Sequence, residues 1–173
     1  MQELDDVWSQ MLAEAAEKAR CAGRSDVADY LGLKASNDLI RRASVQWLFD
    51  TLIREAAAAN RARSAVLIER TEPHSFSYRG ANLVGSSVTF RYGVRCLTVE
   101  AGWTRTPADG FMRGGGLAFA RLRHFGMPKS GSDLVLTRAN ETPRWRVLTE
   151  EAMADEVEAF HLIGHIRLLT ETA

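Results

Sequence analysis

The sequence predicts an α+β fold with N-terminal helices, a central and mainly antiparallel meander sheet of five or six strands, and a C-terminal helix packed on the sheet. Residues 1–63 contain no proline and only two glycines, a composition that favours helix. Ten of the thirteen glycines lie between residues 80 and 131, and all four prolines lie between residues 73 and 143. These residues mark turns between short strands that follow one another without crossover helices. This pattern favours an antiparallel sheet.

The N-terminal part, residues 1–63, is predicted to form three helices. Apolar residues recur along the first helix at three- and four-residue spacing, which marks one apolar face: Leu4, Trp8, Met11, Ala15 and Ala19. Gly23 ends this helix, and Ser25 can cap a short second helix that stops at Gly32. A third helix begins at Ser36 or at the next residue and runs to about Asn60.

The middle part, residues 64–148, reads as strands and turns. The segment "SVTFRYGVRCLTVEAGW" alternates on both sides of Tyr92-Gly93 and therefore predicts a hairpin. Further strands are predicted at "SAVLIER", "LAFARLRHF", "DLVLTR" and "RWRVL". In "LAFARLRHF", alternation predicts that the small-residue face is core, namely Ala118, Ala120, Leu122 and His124.

The last part, residues 149–173, is predicted to be a single helix that begins at Thr149. Its apolar positions align on one side at helical spacing, namely Met153, Val157, Phe160 and Gly164. Together the three parts predict one domain over residues 1–173, a length that can bury a core without disulfides or metal.

Composition bounds the compartment and the partners. The charges cancel over the whole chain, so net charge alone predicts no polyanionic partner. Cys21 and Cys96 form no redox or metal motif, which is typical of a reducing compartment. The start "MQELDDVW" has no secretion signal, and no apolar run approaches the roughly 20 residues of a membrane span. We therefore expect a cytoplasmic protein without a membrane partner.

Charge is segregated along the chain despite this balance. Residues 79–148 hold eleven basic and four acidic residues, a net +7, whereas residues 149–173 hold six acids and one arginine, a net −5. Arginines interleaved with aromatic residues can bind nucleic acid or another anionic ligand. The alternative is that they occupy a solvated sheet face and pair partly with the acidic C-terminal helix.

The glycine-rich segment "DGFMRGGG" lies in a long loop at residues 105–116. A phosphate loop precedes a helix, but the segment that follows this loop reads as a strand, so the pattern disfavours phosphate cradling. The loop is either an ordered turn, if Phe111 and Met112 pack on the protein, or a mobile lid. The candidate ligand-binding residues in and beside it are Arg105, Phe111, Met112, Arg113, Arg121, Arg123 and His124.

Residues 25–43 resemble a helix-turn-helix with the turn at Gly32. Such a unit presents polar and basic side chains of its second helix to DNA, here Lys34, Asn37, Arg41 and Arg42. The alternative is an ordinary helical hairpin. On the last helix, Glu158, His161 and His165 share one side and form a candidate metal site, with half-buried packing residues as the alternative.

No motif for a hydrolase, a nucleotide or a dinucleotide cofactor is present, and we expect no cofactor. The sequence therefore favours a non-enzymatic binding or regulatory domain whose basic sheet segment contacts nucleic acid or an anionic small molecule. One alternative is a small enzyme acting on a phosphorylated or other small molecule at the 105–116 loop, using His124, Arg113 and Glu100 or Asp109. Another is an oligomerisation module in which Trp8 and Trp47 pair with a second copy.

Overall fold

The computed structural model describes residues 2–62, 65–110, 112, 115–139, 142–149 and 153–171. Two helices come first, followed by seven strands and a C-terminal helix. The helices are α1 (Gln2–Cys21), α2 (Ser25–Arg61) and α3 (Ala159–Thr170), and a short 3₁₀ helix spans Pro107–Asp109. The strands are β1 (Leu67–Tyr78), β2 (Ala81–Tyr92), β3 (Arg95–Trp103), β4 (Ala118–His124), β5 (Met127–Ala139), β6 (Thr142–Leu148) and β7 (Met153–Glu156).

The chain divides into two compact units, Met1–Ala43 and Ser44–Ala173. The first unit is a helical hairpin made by α1 and the first half of α2. The helices are joined at Gly23, whose φ of 71° lies in the left-handed region that glycine adopts readily. Leu12, Ala16 and Ala28 are buried in this unit.

Helix α2 continues through Gly32, where the sequence predicts an end and a turn. The prediction of separate second and third helices is therefore wrong. A glycine inside a helix costs about 1 kcal/mol relative to alanine, which is too little to stop a helix that packing holds on both sides of it. No heavy atom lies within 4 Å of a Cβ built at Gly32, so the position also tolerates a side chain.

The second unit is built on one antiparallel sheet with the strand order β1-β2-β3-β4-β5-β6-β7. This confirms the α+β fold, the antiparallel meander and the C-terminal helix that packs on it, with the contacts of α3 made to β2 and β3. No helix in the described part of the chain is long and apolar enough to span a membrane.

The sheet has a covered face and an open face. Helix α3 packs on the covered face, and so does the second half of α2, since the indole Nε1 of Trp145 donates to the backbone oxygen of Ser44 at 3.0 Å. The covered face is the main core, and ten of its strand residues are at most 3% exposed: Val88, Phe90, Leu97, Val99, Ala101, Ala120, Leu122, Leu134, Leu136 and Trp145. The alternation predicted for β4 is confirmed, because Ala118, Ala120, Leu122 and His124 are all buried.

The C-terminal helix begins at Ala159, ten residues later than the sequence predicts. Residues 153–156 instead form β7, which pairs with β6. The far end of α3 is held by Arg95, whose guanidinium donates to the backbone oxygens of Leu168 and Glu171. A cation at this end also complements the helix dipole.

Candidate ligand-binding site on the open face

Two buried glycines lie side by side at the centre of the open face. Gly85 of β2 pairs with Gly102 of β3, and His74 and Phe119 are the next residues outward in the same row of the sheet. A Cβ at Gly85 would lie 2.0 Å from the Ala101 oxygen, so no side chain fits there. The centre of the row and Phe119 are buried, whereas the His74 side chain at the other end is partly exposed.

A bulge in β1 determines which side chains surround this centre. Thr71 pairs with Ser87 and His74 pairs with Gly85, so β1 uses one residue more than β2 across this interval. One extra residue reverses the side to which all following side chains point. The bulge thus directs His74, Phe76 and Tyr78 onto the open face.

Glu100 connects His74 and Arg121 in the next row of the sheet. Its Oε2 accepts from Nε and Nη2 of Arg121 at 2.9 and 2.6 Å, and its Oε1 lies 2.7 Å from Nε2 of His74. Burial favours a higher pKa for Glu100, but the hydrogen bonds from His74 and Arg121 and the Arg121 charge outweigh it and lower the pKa. Because an ionised carboxylate only accepts, His74 donates from Nε2.

Aromatic rings continue from this polar row. Phe76 lies 5.8 Å from His74 and 6.4 Å from Phe119 between ring centroids, and Tyr78 stacks on Phe119 at 3.6 Å. The guanidinium carbon of Arg121 lies 5.5 Å from the Phe76 ring centre. Arg121 is therefore held by a carboxylate on one side and an aromatic ring on the other.

The loop between β3 and β4 covers the aromatic end of this face. Met112 packs against an apolar cluster formed by Phe76, Ala81, Leu83 and Phe119. The carboxylate of Asp109 folds the loop by accepting from the backbone and hydroxyl of Thr106 and from the backbone of Arg105, which lowers the Asp109 pKa. Asp109 is thus a structural residue of the loop.

Carboxylates on the same sheet neutralise most of the arginines whose contacts are described. Arg123 pairs with Asp133, Arg121 with Glu100, Arg144 with Glu156 and Arg91 with Glu69. Glu156 lies in β7, within the acidic C-terminal segment, and the other three partners lie in β1, β3 and β5. These four arginines and their four carboxylate partners together carry no net charge.

The predicted ligand-binding residues fall into separate places. Arg121 and Arg123 lie on the open face, and Met112 lies against its aromatic end, as the ordered-turn alternative requires. Arg105 lies over the Trp103 ring at 4.1 Å. His124 does not join them, because it points from β4 to the covered face. Phe111 and Arg113 lie outside the described residues.

His124 instead belongs to a polar chain beneath α3. Its Nε2 lies 3.0 Å from Nδ1 of His165, and Nε2 of His165 lies 3.3 Å from the hydroxyl of Ser132. Burial lowers the pKa of both histidines, and with the neighbouring His124 and His161 it brings that of His165 to about 4. A base this weak suits a packing role better than proton transfer near neutral pH.

The predicted metal residues do not come together as a site. The backbone N–H of Glu158 donates to Nδ1 of His161 at 3.1 Å, so this histidine caps the start of α3. His165 points to His124 and Ser132. Within the described part of the chain, no group of three His, Cys, Asp or Glu side chains could hold a metal ion.

The predicted DNA-contacting residues lie on a continuous helix. Lys34, Asn37, Arg41 and Arg42 all belong to α2, which lacks the turn that a helix-turn-helix needs. Lys34 lies 5.5 Å from the Trp8 ring centre, and Arg41 pairs with Asp38 at 2.8 Å. The helical hairpin of α1 and α2 is the alternative that the sequence left open.

Sequence reasoning missed His74, Phe76 and Tyr78 as site residues, and it named Glu100 only in the enzyme alternative at the 105–116 loop. No local signal could have found them, because the bulge that turns the first three onto the open face depends on pairing with β2. No family model, curated protein or solved structure matches this chain.

Proposed function

We propose that this protein binds a small organic anion with an aromatic or other flat apolar body on the open face of its sheet, as a binding domain without catalysis. The observation that carries the proposal is the placement of Arg121, held by Glu100 and lying over Phe76 at the edge of a covered aromatic cluster.

The anionic end of the ligand is assigned to Arg121. Its Nε and Nη2 are bound to Glu100, and no described residue accepts from its Nη1. Fixing one edge of a guanidinium leaves the remaining donors in a set direction, which lowers the entropy cost of binding a carboxylate. Glu100 has both oxygens occupied, which suits positioning of Arg121 rather than proton transfer.

The apolar body of the ligand is assigned to the ring edges beside Arg121. Gly85, Gly102 and Phe119 are buried, so a flat molecule contacts this row at the partly exposed His74 ring, next to Phe76. Pockets that bind small molecules combine apolar surface with a few placed polar groups. The hydroxyl of Thr137, on β5 of the same face, has no hydrogen-bond partner among the described residues and can serve such a group.

The charge pattern favours a small anion over nucleic acid. A strand that follows a phosphate backbone needs several uncompensated cations, because counterion release supplies most of the affinity. On this face Arg91, Arg121, Arg123 and Arg144 each have a carboxylate partner. One guanidinium edge can bind one carboxylate. Four arginines that are already paired with carboxylates do not form a surface that binds a nucleic-acid backbone.

Thermal unfolding with a set of probe ligands tests this proposal. We expect benzoate and indole-3-acetate to raise the Tm, and the neutral analogue benzyl alcohol to have a much smaller effect. At a ligand concentration ~100-fold above Kd, the Tm should rise by roughly 5–10 °C for a chain of this size. Short single-stranded DNA should give no shift at moderate salt.

The matched variants exchange one ion pair for a neutral hydrogen-bonded pair of similar shape. Glu100→Gln with Arg121→Gln removes the anion contact, whereas Glu156→Gln with Arg144→Gln makes the same change between β6 and β7. The first double variant should lose the benzoate effect and the second should keep it. Equal responses in both, or no response of the native chain to any aromatic carboxylate at millimolar concentration, would overturn the proposal.

A further inference from the structure

The imidazole ring of His74 is held at one nitrogen and open at the other. Its Nε2 donates to the ionised carboxylate of Glu100 at 2.7 Å, so in the neutral ring the proton lies on Nε2 and Nδ1 carries a lone pair. No described residue bonds to this Nδ1, which reaches solvent because the His74 side chain is 27% exposed. Nδ1 is therefore a hydrogen-bond acceptor that is open to a ligand.

The two oxygens of the Glu100 carboxylate hold His74 and Arg121 on either side of one group. Oε1 of Glu100 binds His74, and Oε2 binds Nε and Nη2 of Arg121. The Arg121 side chain is 26% exposed, which is close to the exposure of His74. Because a planar ring and a planar guanidinium are each fixed at one edge, their remaining polar atoms keep set directions.

The Phe76 ring lies against both polar groups. Its centroid is 5.8 Å from that of His74, with the two planes 20° apart, and the guanidinium carbon of Arg121 lies 5.5 Å from it. Phe76 is 8% exposed, so it supports the two groups and offers little surface of its own. A flat ligand that binds Arg121 and the His74 ring edge thus brings its own edge to Nδ1.

We infer that His74 determines specificity at this site, with Nδ1 accepting a hydrogen bond from an N–H or O–H group of the ligand whose carboxylate binds Arg121. This inference rests on the proposed function and narrows the ligand to an aromatic carboxylate that bears a hydrogen-bond donor. An apolar substituent at the same place displaces water from Nδ1 without replacing its hydrogen bond, which lowers the affinity.

Isothermal titration calorimetry of the full chain at pH 8 measures this contact with matched probes. The probes 3-hydroxybenzoate and 4-hydroxybenzoate carry the donor, and 3-fluorobenzoate and 4-fluorobenzoate have a similar size without it. The net contribution of one neutral hydrogen bond corresponds to a factor of about 3 to 10 in affinity. We therefore expect the better hydroxybenzoate to bind ~3- to 10-fold more tightly than its fluoro analogue. Benzoate, which has neither substituent, reports on the Arg121 contact alone.

Three variants assign the preference to His74. His74→Phe keeps a flat ring beside Phe76 but removes the acceptor, so the hydroxy and fluoro probes should bind it with equal affinity. His74→Gln supplies an amide that donates to Glu100 and a carbonyl oxygen that accepts, so it should retain a preference for the hydroxy probe. His161→Phe makes the first exchange on α3, away from this face, and should keep the full native preference.

The outcomes separate this inference from the proposed function. A native chain that does not bind benzoate would overturn both. Benzoate binding with equal affinities for the hydroxy and fluoro probes would overturn the inference alone. A preference that His74→Phe retains in full would do the same, because the donor would then bind another acceptor.

Discussion

Acidification from pH 8 to pH 5 should destabilise this protein through the histidine pair beneath α3. Nε2 of His124 and Nδ1 of His165 share one hydrogen bond, which requires that one of these two nitrogens carry no proton. Burial lowers the pKa of both side chains, so the folded state resists protonation while the unfolded chain accepts it. The pair should act as a unit, since its members are coupled.

The magnitude follows from the His165 pKa of about 4 in the folded protein and an ordinary value of about 6.5 in the unfolded chain. Between these values the unfolded state binds more protons, so the free energy of unfolding falls as the pH falls. The stabilisation is complete above about pH 6.5, and at pH 5 about 2 kcal/mol of it is lost. Glu100, with a lowered pKa, loses its contribution only at more acidic pH.

Urea unfolding at pH 8 and pH 5 measures this loss. His165→Gln keeps a side chain that can bond to both neighbours but does not titrate, so we expect its stability to fall by ~1 kcal/mol or less over the same interval. His161→Gln, one turn earlier on α3, should retain most of the native pH dependence, because His161 makes the smallest of the three contributions to the His165 pKa. Equal losses in the native chain and in His165→Gln would refute the assignment of the effect to this pair.

Three further substitutions test the packing. Gly85→Ala should cost at least ~3 kcal/mol or prevent folding, since its Cβ would lie 2.0 Å from the Ala101 oxygen; urea unfolding measures it. Gly32→Ala should instead stabilise by ~0.5–1 kcal/mol in the same assay, and a loss of stability would contradict a continuous α2. Trp145→Phe should cost ~1–3 kcal/mol because the buried side chain loses its hydrogen bond to the Ser44 oxygen and part of its packing, and an unchanged urea midpoint would show that both contribute little.

The fold was predictable where the local pattern and the tertiary structure agree. Alternation placed Ala120 and Leu122 in the core and Arg121 on the other side, and the structure confirms each. The hairpin at Tyr92-Gly93 was equally predictable. In the structure Gly93 lies in the turn with a φ of 59°, a conformation that glycine adopts readily. In these segments a short window of sequence contains all the information that decides the structure.

The remaining features depend on contacts between distant residues. His74 reaches Glu100 only because the β1 bulge reverses the direction of its side chain. The sequence around residue 74 contains no signal that predicts this shift in the pairing of β1 with β2. The apolar spacing that predicts a helix from Thr149 is wrong for a similar reason, because pairing with β6 holds residues 153–156 in a strand. The candidate site is thus assembled by register, whereas sequence reasoning could supply only Arg121, Arg123 and Met112.

The central claim is that a small aromatic anion binds beside Arg121, and a ¹⁵N-resolved NMR titration with benzoate tests it most directly. We predict saturable shifts of the Arg121 Nε–H signal and of the backbone amides of Gly85, Gly102 and Phe119. Signals of α3, on the covered face, should move little. Shifts confined to α1 or α2, or an absence of saturable shifts at the Arg121 side chain, would contradict the account.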